Sequence, residues 1–80
     1  CISVMDNEEY LNDLITQLKE VNERLEILDM MDERLYKIKE LLQRIESGSL
    51  EKEEEKKIRS EIAELENQFN LLNKEKNLQS

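Results

Sequence analysis

Histidine, tryptophan and proline are absent from the 80 residues, glycine and cysteine occur once each, and only three residues are aromatic. Each shortage removes a class of function. Without histidine there is no imidazole to serve as general base or metal ligand. The lone Cys1 closes no internal disulfide and lacks the partners of a Cys–His dyad or a zinc site. One glycine cannot build a glycine-rich phosphate loop, and no EF-hand spacing is present. Carboxylates abound, but acid–base catalysis needs a desolvated pocket, which two packed helices do not enclose. The expectation is a non-enzymatic chain with no catalytic residue, no cofactor and no metal. Long apolar runs are missing as well. Nowhere do about 18 uncharged apolar residues follow one another, so no transmembrane segment is expected. A signal peptide's basic and apolar regions are also not visible.

Basic residues are the minority, twelve Lys and Arg against twenty Asp and Glu, for a net charge of −8. A chain of that sign repels a phosphate backbone, and the one basic knot, Lys56, Lys57 and Arg59, follows glutamates that cancel it. Nucleic acid and anionic membrane surfaces are therefore not expected partners. Cys1 stands where an initiating Met would, and reads as a processed, truncated or internal start. The other reading is an acylated Cys, as in a mature bacterial lipoprotein, which would tether the chain to a membrane. The cytoplasm is the expected compartment, or the cell surface if Cys1 is lipidated.

What remains is helix. With one glycine and no proline, little interrupts a helix from end to end. Asp6 reads as an N-cap with Glu9 three residues on, and Met5 and Tyr10 are spaced for a hydrophobic staple. The first helix is expected over about residues 7–46, roughly 60 Å long at ~1.5 Å per residue. Residues 1–5 and 77–80 read as frayed ends of a single unit. From Leu11 the apolar residues keep heptad time: Leu11, Leu14, Leu18, Val21, Leu25 and Leu28 are spaced 3-4-3-4-3. Met31, Leu35, Ile38, Leu42 and Ile45 continue 4-3-4-3, so the step from Leu28 to Met31 is a second consecutive three and reads as a stammer. Ile15, Ile27, Met30 and Leu41 widen the stripe, as a helix with more than one neighbour requires.

Ser47-Gly48-Ser49 is the only break. Gly48 suits a left-handed helix end, and Ser49 reads as the next N-cap. So short a connection makes the helices antiparallel neighbours. The second helix is expected over about residues 50–76, with Ile58, Ile62, Leu65, Phe69 and Leu72 spaced 4-3-4-3. Its opening is held by i,i+4 pairs such as Glu53 with Lys57 and Glu55 with Arg59. The fold class is thus all-α: an antiparallel two-helix hairpin with coiled-coil-like packing that oligomerises into a helical bundle. Leu35, Ile38, Leu42, Ile45, Ile58, Ile62, Leu65, Phe69 and Leu72 form the expected hairpin core. The shorter second helix covers roughly residues 20–46 of the first. Leu11, Leu14, Leu18, Val21, Leu25, Leu28 and Met31 are then the expected interface with a partner or with another copy, with Tyr10 and Tyr36 on its rim.

The segment from Leu35 through Tyr36-Lys37-Ile38-Lys39-Glu40-Leu41 to Gly48-Ser49 resembles the rod of bacterial flagellins and the related hook–filament junction protein. Those proteins carry a Leu-x-basic-Ile/Val-basic-Glu-Leu segment leading into a Gly-Thr or Gly-Ser turn. The likeness continues through Ile58, Glu61-Ile62, Leu65 and Phe69, so it covers about residues 35–69. The resemblance implies a two-helix rod section of a polymerising, extracellular structural component. The residues read alone imply a non-catalytic protein–protein assembly module, or a small acidic export chaperone or adaptor that shields a helical client.

Overall fold

The computed structural model describes residues 4–78, with side chains from Asp6 onward. The chain forms two helices, α1 over Val4–Glu46 and α2 over Lys52–Leu78, packed as an antiparallel hairpin. The molecule is a rod of 73 × 18 × 11 Å with a radius of gyration of 20.9 Å. A compact domain of this length would have a radius of about 12 Å. The rod follows from the inequality of its helices: α1 has 43 residues and α2 has 27. At ~1.5 Å per residue α1 outruns its neighbour by ~24 Å.

The reversal is built at Gly48, whose φ of 71° lies in the left-handed region. Its N–H donates to the carbonyl of Ile45 at 3.2 Å, and the N–H of Ser47 donates to the carbonyl of Gln43 at 3.0 Å. The Ser47 hydroxyl donates to the Arg44 carbonyl at 2.7 Å. The carbonyls of Gln43, Arg44 and Ile45, three of the last four of α1, are thereby satisfied locally. Ser49 does not cap α2 as expected. Leu50 turns down against the core instead, which uses up residues 48–51 as connection, and Glu51 takes the flanking position, its carbonyl accepting from Glu55 N–H at 2.9 Å. Three glutamates, Glu53, Glu54 and Glu55, then lie in the first turn and Lys76 in the last, as the helix dipole favours. Glu55 also binds Arg59, Oε1 accepting from Nη2 at 2.9 Å. The expected pair of Glu53 with Lys57 is not among the ion pairs of the described residues.

At the ends the helices run further than expected. Val4 and Met5 are helical, so Asp6 sits inside the first turn of α1 rather than at its N-cap. Its charge still complements the helix dipole there. A staple from Met5 falls outside the described side chains. At the other end α2 continues through Asn77 and Leu78. Residues 1–3 and 79–80 lie outside the described residues.

The core corrects the expected assignment of α1. Leu41, Ile58, Ile62 and Leu65 form one buried cluster, with Ile38, Ile45 and Leu50 packed against it. Ile27 and Met31, each 6% exposed, extend burial toward the far end of α2. The row that α1 turns to α2 is therefore Ile27, Met31, Arg34, Ile38, Leu41 and Ile45, spaced 4-3-4-3-4. Leu35 and Leu42, expected in this core, remain 48% and 45% exposed, and Met31, expected at the outer interface, lies inside. Leu28 and Met31 belong to two different rows, so there is no stammer to invoke. Arg34 fills the polar slot of the buried row. Its Nε donates to Gln68 Oε1 across the helices at 3.0 Å, and Gln68 Nε2 donates to Glu64 Oε1 at 3.4 Å. On α2, Phe69 and Leu72 are half-buried, and the row Ile58–Leu72 faces α1 as its spacing requires.

Truncating the buried row should cost far more than truncating its exposed neighbour. Leu41→Ala and Ile62→Ala should each lose ~2–3 kcal/mol of unfolding free energy. Leu42→Ala should lose under ~1 kcal/mol, since half of that side chain is already in water. Urea titrations followed by circular dichroism decide it, and equal losses at Leu41 and Leu42 would refute the assignment. At the turn, a Cβ on Gly48 would meet nothing within 4 Å, so the cost of Gly48→Ala is that of the backbone conformation alone, ~1 kcal/mol. Gly48→Asn should cost less than Gly48→Ala. A Gly48→Ala chain as stable as the parent would instead favour an opened rod.

Candidate helix-docking seam

The second apolar row of α1 is the one that α2 does not cover. Leu11, Leu14, Leu18, Val21, Leu25 and Leu28 are between 40% and 61% exposed. Taking Leu11 as heptad position a and Leu14 as d, the row continues past Leu28 through Leu35 and Leu42, both at d. Asp32 and Lys39 fall at the two intervening a positions. All six residues of the first heptad series expected at an interface therefore lie on one helix face, and only Met31 of that group is withdrawn into the hairpin. Leu35 and Leu42, displaced from the expected core, join the seam.

The geometry follows from helical spacing. Toward the turn, each d residue of the seam lies one position after a residue of the buried row: Leu28 after Ile27, Leu35 after Arg34, Leu42 after Leu41. One residue turns an α-helix by ~100°, so the two faces are neighbours on the same helix rather than opposites. A helix lying in the seam would touch α1 and, toward the turn, α2 as well. There the seam borders an open groove lined by Leu35, Ile38, Glu66, Phe69 and Asn70. Toward the N-terminus it stands alone. Near the end of α2, Leu72 and Glu75 line a shallow groove with Glu23, Glu26, Ile27 and Met30, and α1 projects beyond the last turn of α2.

Charge is segregated from the seam. Asp6, Glu9, Asp13, Glu20, Glu23 and Glu26 occupy the outer b, c and f positions of the projecting arm. The flanking e and g positions hold Tyr10, Ile15, Gln17 and Asn22, with Glu8, Arg24 and Asp29 as the charges. Tyr10 and Ile15 are 64% and 63% exposed and widen the apolar face, as does Tyr36 further along. The exposed apolar surface of the arm is thus one continuous face bordered by polar residues.

Among the described residues no group of three His, Cys, Asp or Glu side chains is placed to hold a metal ion, and no helix is long and apolar enough to cross a membrane. Comparison of the chain with protein-family models, with curated proteins and with solved structures finds no match.

Two features go beyond what the sequence reading anticipates. Arg34 with Gln68, the polar layer inside the hairpin, shows in the sequence only as a gap between Met31 and Ile38. The continuation of the seam to Leu35 and Leu42 is open to a longer count, since Leu14, Val21, Leu28, Leu35 and Leu42 recur every seven residues.

Exposed seam leucines should be dispensable to the hairpin itself. In dilute solution, Leu18→Glu should change unfolding free energy by no more than ~0.5 kcal/mol. Ile62→Glu, which buries a charge, should abolish the cooperative helical transition. Loss of the transition in both variants would show that the projecting arm is part of the folding unit.

Proposed function

We propose that the chain is a non-catalytic assembly module that joins other helices through the seam from Leu11 to Leu42. The observation that carries this reading is the uncovered half of α1. A helix is held in water chiefly by burial of its apolar face. Here the six leading residues of that face remain 40–61% exposed, and the first of them stand on an arm that projects past the end of α2. The acidic outer face supports the reading, because it keeps such an arm soluble and confines contact to the apolar side. Association through helix–helix packing asks for spacing, charge placement and length, and the seam supplies all three.

The test is the absolute molar mass in solution over a hundredfold concentration range, with reductant present so that Cys1 forms no bridge. The expected result is a dimer or higher oligomer of the parent chain that dissociates on Leu18→Glu or Leu25→Glu, with helix content retained. Self-association that ignores both substitutions would refute the seam as the contact. A helical monomer at every concentration would turn the reading toward a helical client, as for a small acidic chaperone or adaptor.

A further inference from the structure

We infer that the occupant of the seam is a second copy of this chain, lying antiparallel along the projecting arm with the two-fold axis passing between Lys19 and Glu20. The inference rests on the assembly reading above and specifies its partner and geometry.

Three observations select this arrangement. The first is the match of layers. In an antiparallel pair, a positions face d positions. About the Lys19–Glu20 midpoint, Leu11 faces the partner's Leu28, Leu14 the partner's Leu25, and Leu18 the partner's Val21. Each pairing occurs twice, so all six exposed residues of the arm are used in both chains. The next layer outward places Asn7 opposite the partner's Asp32, polar against polar, where the unbroken apolar run of the seam is first interrupted. A parallel pair in register would instead stack Asp32 on the partner's Asp32 and Lys39 on the partner's Lys39, like charges within an apolar seam. The second observation is charge. A basic heterologous helix would be recognised by acids at e and g, but the arm holds most of its acids at b, c and f. The flanks bordering the seam are mostly uncharged, as a self-pairing helix in a chain of net charge −8 requires. The third is space. From Asn7 to Asp32 the overlap spans ~38 Å. Its centre lies on the part of α1 that projects beyond α2, and the two hairpin turns are held at opposite ends of the dimer. Where the partner's arm passes Leu28 it comes alongside the end of α2, making a three-helix layer at each end.

Disulfide trapping reads the register directly. In a Cys1→Ser background, Leu18→Cys and Val21→Cys chains are prepared separately, mixed in equal amounts under reducing conditions, and then oxidised. Mass spectrometry counts the products. The antiparallel pair predicts that the mixed 18–21 disulfide exceeds the two homodisulfides together by at least threefold. Leu14→Cys with Leu25→Cys should behave in the same way and guards against a local effect at the centre. Efficient homodisulfides in each variant alone, with a statistical mixture on mixing, would overturn the antiparallel arrangement while leaving the seam as the contact. No cross-linking in either pair, with a monomeric mass for the parent, would overturn self-pairing altogether. If the parent oligomerises but ignores Leu18→Glu, the assembly reading fails with it.

Discussion

The position of the reversal governs everything else in this molecule. Gly48 is the one residue that takes a left-handed φ without penalty, and it stands well past the middle of the chain. A turn at residue 40 would have made two helices of equal length that cover each other. A turn at 48 makes α1 too long for α2, so the hairpin is complete only over the half of α1 nearest the turn. The arm beyond it keeps its apolar face because nothing within the described chain reaches it. Small helical chains have little core to spare, and a fold that leaves a row of leucines in water gives up burial it could have used. That arrangement is stable only to the extent that the hairpin half suffices, or that another helix completes the arm.

Much of this is legible from residue types and spacing. Two helices, a reversal at Ser47-Gly48-Ser49, the antiparallel pairing and the core row of α2 all follow from one glycine, no proline and regular apolar spacing. What spacing does not decide is which of two adjacent rows on α1 faces α2. Leu41 and Leu42 are neighbours in sequence and ~100° apart on the helix, and either continues a heptad series. Reading the two rows as one produces an apparent stammer at Leu28–Met31 and sends Leu35 and Leu42 to the core in place of Ile27 and Leu41. The deciding interactions lie elsewhere: Leu50 folds onto the cluster of Leu41, Ile58 and Ile62, and the connection from 48 to 51 fixes the face on which α2 returns. The helix ends depart from expectation for a related reason. Asp6 and Ser49 have the right chemistry for caps, but cap propensity is a weak local preference that continuing helix or nearby packing overrides.

The polar layer of Arg34 and Gln68 has a role that a stability count alone would miss. The buried rows are otherwise largely Ile, Leu and Met, and such rows slide past one another by a heptad at modest cost. A donor–acceptor pair at 3.0 Å in the middle of the hairpin is satisfied in only one register. A slip of seven residues would place Gln68 opposite Ile27 or Leu41, leaving its half-buried amide against an apolar side chain, which is costly. The hydrogen bond from Gln68 to Glu64 and the ion pair from Arg34 to Glu33 at 3.5 Å keep both partners oriented. Register in the hairpin then sets where α2 stops, and so sets how much of the seam stays open.

The two faces of α1 are consequently not independent. They lie about 100° apart on one helix, and a free α1 would show a single broad apolar surface with no preferred contact line. Packing of α2 removes one row of that surface and leaves a seam of a/d width bordered by Arg24, Gln17 and Asn22 on the arm. Narrowing matters because a broad stripe accepts several neighbours at many angles, whereas a two-residue seam accepts one helix in few registers. If the seam takes another helix as proposed, folding of the hairpin would act as a selector for which one. A variant that opens the hairpin would not merely lose stability; it would expose the buried row Ile27–Ile45 as a competing surface. Loss of specificity, seen as larger and mixed assemblies, is the form its failure would take.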